Sequence, residues 1–247
     1  MKRTISLLAL LILVKAGIAQ TVTIGKQIWH AKNLNVFTFR NGDPIPEAKT
    51  DEEWNWASDN EQPAWCYYNN DPANGTKYGK LYNWYAVNDP RGLAPAGYHI
   101  PTKAEWDALT VYLGGEEIAG SAMKSTSGWR SYTTGGSKTC PNCESWDPEY
   151  RRRGATCRVC KDTRSVSVPT LTHFGNGSNS SKFSGLPGGS RWGNGQFNGI
   201  GDFGNWWSSR LYHDTNAWFC NLNYKNGFVY RHHIEMGEGY SVRCIKD

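Results

Sequence analysis

Four of the seven cysteines stand in a pattern that a metal ion can use. Cys140-Pro-Asn-Cys143 and Cys157-Arg-Val-Cys160 give C-x2-C, thirteen intervening residues, and a second C-x2-C. Two residues between thiols let both sulfurs converge on one ion while the intervening backbone N–H groups point at them. Thirteen residues leave room for a small hairpin between two such knuckles, the spacing of a tetrahedral four-cysteine zinc site. Structural zinc is therefore the expected cofactor, held in an insert at about 138–164. Trp146, Tyr150 and Val159 would form a small core beneath it, and Arg151, Arg152 and Arg153 would offset the negative charge of four thiolates on one divalent ion. The same four thiols could instead form crossed disulfides, which an oxidising compartment favours, or act as redox pairs.

A second group of chemistry-bearing residues crowds between Trp206 and His233. Arg210, Tyr212, His213, Asn216, Trp218, Asn221, Asn223, Tyr224, Asn226, Tyr230, Arg231 and His232 combine rigid aromatic area with adaptable hydrogen bonding, the mixture that binding surfaces use. They are read as a ligand-binding set, although Trp206, Trp207 and Trp218 better suit a fold-stabilising aromatic core. His232 and His233 are adjacent, so a strand would send them to opposite faces rather than to one metal. The chain has no Gly-rich phosphate loop, nucleophile elbow or His-Glu metal helix.

The elements that must position these groups follow from composition and punctuation. Twelve Trp, 13 Tyr and 27 Gly favour short strands and long ordered loops, an α+β fold rather than a helical or doubly wound one. Val22-Thr23-Ile24 and Gln27-Ile28-Trp29 alternate around Gly25, so 21–40 reads as a hairpin, whereas 41–80, rich in Asn, Asp, Pro and Gly, reads as turn and loop. Thr102 with Glu105 predicts a capping box, and Trp106, Leu109 and Leu113 the buried face of the helix it starts, ended by Gly114-Gly115. A further helix is expected from Tyr78 to Val87. Short antiparallel strands are expected from Ser184 onward.

Met1-Lys2-Arg3, the apolar run Ile5–Val14 and the small residues Gly17 and Ala19 predict a cleavable secretory signal peptide at 1–19, leaving 20–247 as a single domain. Gln20 rather than cysteine argues against a lipid anchor, and no second long apolar run suggests a transmembrane one. The formal charge of +5 falls to +2 when Lys2, Arg3 and Lys15 leave. Segment 138–164 holds seven basic residues against four acidic ones, so the rest is near neutral and a nucleic-acid partner is not indicated.

Seven stretches carry a family resemblance. They are Ile28-Trp29 with Asn33-Leu34-Asn35, Trp65–Asn70, Tyr78–Val87, Leu93–Thr102, Gly185-Leu186-Pro187-Gly188-Gly189, Trp206-Trp207-Ser208-Ser209 and Ser241-Val242-Arg243-Cys244. Together they resemble the Fibrobacter succinogenes major paralogous domain. That family looks like a branch of the C-type-lectin-like fold, in the subgroup containing formylglycine-generating enzymes. The resemblance implies two helices on small twisted antiparallel sheets, with an irregular Trp- and Gly-rich half bearing the ligand surface. It also implies a disulfide at Cys244, with Cys66 as the expected partner, Cys220 as the runner-up and otherwise an odd thiol. The closely spaced cysteine pair of the enzyme relatives is absent, since Cys220 and Cys244 are 24 apart. Calcium is the other ion such a fold can use, but no Glu-Pro-Asn or Gln-Pro-Asp triplet supports it. The expected protein is secreted or at the cell surface, non-enzymatic, and binds an extracellular carbohydrate or surface protein. The rival expectations are an enzyme related to the formylglycine-generating group and a structural envelope component.

Overall fold

Gly25, at φ +61°, turns the chain between β1 (Thr21–Ile24) and β2 (Gln27–His30), which pair antiparallel with Ile24 opposite Gln27. The computed structural model describes residues 20–144, 157–161, 163 and 165–247, so the expected signal peptide lies outside the described residues. The strand character of the first hairpin ends at His30. From there to residue 50 the chain is held by isolated bridges and turns.

The stretch expected to be loop contains two helices. In α1 (Asp51–Asp59) the Thr50 hydroxyl accepts the Glu53 N–H and Glu53 reaches back to the Thr50 N–H, a capping box inside polar sequence. After β3 (Trp65–Cys66), Asp71 caps α2 (Pro72–Tyr78) by accepting the Ala73 N–H. The helix expected over Tyr78–Val87 is broken. Gly79, at φ +78°, ends α2; β4 (Leu81–Tyr82) pairs with β3; and Asn83 caps only one further turn, α3 (Trp84–Val87). A Cβ at Gly79 would meet the Leu34 carbonyl at 2.7 Å, so the break is built into the packing.

β5 (Tyr98–His99) leads into α4 (Lys103–Tyr112), whose Thr102–Glu105 capping box forms as the sequence indicates, with Trp106 and Leu109 buried. Gly114 and Gly115, both at φ +100°, separate it from α5 (Glu116–Met123). Next come β6 (Tyr132–Thr139), α6 (Pro141–Glu144) and β7 (Ser165–His173); β6 and β7 form a two-stranded sheet of their own. The remaining strands are β8 (Gly188–Arg191), β9 (Phe197–Ile200), β10 (Phe203–His213), β11 (Asn216–Asn223), β12 (Tyr230–Glu235) and β13 (Ile245–Lys246). One sheet runs β1-β2-β13-β5 and another β12-β11-β10-β8-β9. The architecture is α+β with six short α-helices and one 3-10 turn among the described residues, more than the two helices expected.

The large sheet stands between two aromatic clusters. Trp207, Ala217 and Phe219 pack on one side with Trp65, Tyr82, Trp84 and Tyr240. Trp206, Cys220 and Leu222 pack on the other with Trp29, Trp106, Trp129 and Phe183. A third cluster gathers Trp54, Cys66, Tyr68 and Leu81. Burying an indole requires a partner for its N–H. Trp65, Trp84 and Trp207 donate to the carbonyls of Ile45, Ser208 and Tyr82 at 2.8, 3.0 and 2.8 Å.

Segment 239–246 threads between these clusters. Tyr240 exchanges backbone bonds with Tyr82 at 2.9 and 3.1 Å, and the Ser241, Val242 and Cys244 carbonyls accept from Trp207, Leu34 and His30. Ile245 then pairs with both Trp29 and His99.

At the mouth of this segment Glu238 accepts the Gly193 N–H at 3.2 Å. Burial pushes its carboxyl up from 4.5 to about 7, the Gly193 N–H opposes that, and the charge of Glu235 adds to it. The folded chain therefore holds this proton more tightly than the unfolded one. The contribution to stability is complete below the unfolded pKa and is lost as pH rises through the folded one. Glu238→Gln should flatten the fall in Tm between about pH 5 and 8, and parallel wild-type and variant curves would contradict this.

Candidate metal centre and ligand face

The two-stranded β6–β7 stem brings the cysteine pairs together. Thr139 lies opposite Ser165, so the chain on either side of the stem's end delivers Cys140 and Cys143 from one strand and Cys157 and Cys160 just before the other. All four are buried and their sulfurs lie within 4.8 Å of one another, a set able to hold a metal ion. The Sγ atoms of Cys140 and Cys157 are 3.8 Å apart, and those of Cys143 and Cys160 are 3.4 Å apart. The arm is longer than the expected insert, since its stem reaches from Tyr132 to His173.

Within the second knuckle the Cys160 and Val159 N–H groups point at the Cys157 sulfur. They bring its thiol down to about 7 against burial, helped by bonds from Cys160 and Cys143. Cys143, bonded to the Cys160 thiol and buried, is held up at about 12. Metal binding needs thiolates, and one of the four is thus ready to ionise first. Val159 is 54% exposed and forms no core beneath the sulfurs; Val166 of β7 packs there instead. Trp146, Tyr150 and Arg151–Arg153 lie outside the described residues.

The expected ligand-binding set divides, because β11 and β12 alternate sides. On the face toward α4, Tyr212 stacks on His233 with ring centroids 3.7 Å apart and planes 8° apart, and its edge meets Trp218 at 5.1 Å. His213 adjoins this stack at 4.9 Å from Tyr212. The Lys103 ammonium sits 5.1 Å from the Trp218 ring and bonds Asp107 at 2.8 Å. Trp218, Lys103 and Asp107, with Thr102, Ala104, Arg210 and Leu211, border a groove of about 530 Å³, and the Tyr212–His233 stack stands behind Trp218. Arg231, on the same face, pairs with Asp107 at 2.9 Å and with Glu116.

On the opposite face Tyr230 stacks near-parallel to His232, 5.7 Å between centroids, and its hydroxyl accepts from the Asn226 amide at 2.9 Å. The two histidines therefore do take opposite faces. Several other members serve structure. Asn221 donates to Asn205 at 2.7 Å, Asn223 accepts the Lys225 N–H at 2.9 Å, and Asn216 accepts from Thr215 at 2.9 Å. Tyr224 is partly buried against the second cluster and meets Tyr132 edge-on at 5.6 Å. Trp206 and Trp207 are fully buried. His233, Lys103 and Asp107 were missing from the expected set. Counting by two from Arg231 would have placed His233 beside Trp218, but Lys103 and Asp107 come from a distant helix and carried no sequence signal.

The expected Cys66–Cys244 bridge is not formed in the structure. Cys66, Cys220 and Cys244 are free thiols, each in a different one of the three aromatic clusters, so the runner-up Cys220–Cys244 pair is not formed either. Burial pushes Cys66 and Cys244 up to about 12, each partly offset by a neighbouring arginine, and pushes Cys220 further still. Among the described residues no helix is long and apolar enough to cross a membrane.

The family model of the Fibrobacter succinogenes major domain matches residues 22–246, so the chain belongs to that family. No curated protein and no solved structure matches it.

Plasma mass spectrometry of the purified protein should find one metal ion per chain. Cys157→Ser should lose the ion on dialysis while the core's tryptophan fluorescence is unchanged. A metal-free chain whose four arm thiols resist alkylation after denaturation would show disulfides instead.

Proposed function

We propose that this chain is an exported, non-enzymatic binding protein of C-type-lectin-like architecture that takes an extracellular carbohydrate on the groove between α4 and the β10–β11 hairpin. The observation that carries this reading is the Trp218 ring, backed by the Tyr212–His233 stack, in a groove that Lys103, Asp107 and Arg210 also line. A pyranose offers an apolar face that stacks on an aromatic ring and a rim of hydroxyls that charged side chains can bond. The groove supplies both on a helix and two strands, rigid elements of the kind ligand sites use.

The arm supports zinc as its metal. In a tetrahedron with Zn–S near 2.3 Å the sulfurs are about 3.8 Å apart, whereas a disulfide needs about 2.05 Å. The separations of 3.8 and 3.4 Å lie nearer the former. Four thiolates without oxygen ligands also select zinc over harder ions. The raised, buried thiols of Cys66 and Cys244 favour a structural role over the cysteine chemistry of formylglycine-generating enzymes.

A glycan screen tests the reading. Trp218→Ala and Tyr212→Ala should each weaken the best glycan by about tenfold, the size of a typical aromatic anchor. Retained binding in both variants, a surface protein as the bound partner, or mass loss at the cysteine of a sulfatase-type peptide would contradict it.

A further inference from the structure

A second cavity, sharing no residue with the groove, lies where the β1–β2 hairpin, α2 and the loop before β8 meet, with a volume of about 740 Å³. Its lining includes Lys32, Lys77, Lys182 and Arg243 and not one carboxylate. None of these four cations makes an ion pair with a described residue. Such an arrangement repels itself unless a negative charge enters from outside.

Two features show that this clustering is built. Arg243 is 1% exposed, and its guanidinium is oriented by neutral acceptors only: the carbonyls of His30 and Phe183, and Asn33 Oδ1 at 3.0 and 2.7 Å. A buried cation without a counter-anion is costly, and burial here brings Arg243 down to about 9. Lys182 is held on the rim by a clasp. Asn179, Lys182 and Ser184 all have positive φ, at 50°, 63° and 55°. Asn179 and Ser184 bind each other twice, Ser184 N–H to Asn179 Oδ1 at 2.8 Å and Asn179 Nδ2 to Ser184 Oγ at 2.9 Å. Three non-glycine residues in the left-handed region within six positions represent stored strain, which persists where a particular geometry is needed.

We infer that this cavity is a second ligand site, taking a small polyhydroxylated anion such as a sugar acid. The three lysines would meet its charged groups from three separate elements, above the positive floor of Arg243. Its hydroxyls would meet Thr76 and Ser184, which also line the wall. The cavity lining has no aromatic ring, so a neutral sugar would lack the stacking surface that the groove offers.

Calorimetric titration of the purified protein with digalacturonate, a neutral disaccharide and inorganic sulfate tests the inference. In the Trp218→Ala protein, whose groove has lost its aromatic ring, digalacturonate should bind, the neutral sugar should not, and sulfate should be weaker. Lys32→Gln and Lys182→Gln, both at exposed unpaired positions, should each cost about fivefold to tenfold in affinity. Trp218→Ala should leave this binding unchanged, which separates it from the groove. Arg243→Met is a poor test because it removes a buried bond network, so unchanged Tm must accompany each lysine variant. Equal binding of sulfate, binding of the neutral sugar by the Trp218→Ala protein, no binding of digalacturonate, or lysine variants that bind like wild type would each overturn it.

Discussion

The backbone of segment 239–246 is the constraint on which the rest of the structure depends. Within eight residues it bonds to Arg191, Tyr82, Asn205, Trp207, Leu34 and His30, and it finishes as a strand between β2 and β5. Each contact joins parts of the chain far apart in sequence, so closing the molecule requires one ordered segment to satisfy partners from both halves. Loop-closure entropy must be met before these contacts reward it, the condition that slows folding of non-local topologies. Arg243 fits this role. It lies in the middle of the segment and ties it through carbonyls to the β2 end and to Phe183.

That stitching leaves the core with little to spare for chemistry. Trp206 and Trp207, adjacent in sequence, point to opposite sides of β10 and each anchors a separate cluster through its indole N–H. The three core thiols are buried within these clusters and raised by burial. The candidate sites lie outward instead, on the outer part of the β10–β12 sheet, the rim clasped by Asn179 and Ser184, and the arm carrying the four cysteines. Among the described residues, Tyr132 of the arm meets Tyr224 edge-on and donates to the Lys225 carbonyl at 3.0 Å.

Features governed by nearest neighbours were legible in the sequence. The Thr102–Glu105 capping box, the Gly25 turn and the convergence of Cys140, Cys143, Cys157 and Cys160 all follow from spacing alone. The same local logic could have found α1, whose Thr50–Glu53 box is as clear, but its surroundings of Asp, Asn and Glu resembled loop. The break at Gly79 was hidden because its cause, the Leu34 carbonyl, comes from a remote part of the chain. The candidate ligand face was legible in residue type but not in grouping. A sheet packed on both sides separates neighbours such as His232 and His233, and only the register shows which residues share a face. The pairing of Cys66 with Cys244 rested on family resemblance, and in this chain the two thiols belong to different clusters.

In the proposed reading the arm is a separately held unit, stapled by a metal on its four cysteines and grafted onto the core. Hydrogen exchange with and without a chelator tests that directly. Metal removal should expose the amides of β6 and β7 to exchange while those of β10, β11, β12 and β13 keep their protection. Loss of protection throughout the large sheet, or an arm whose exchange ignores the chelator, would contradict the account.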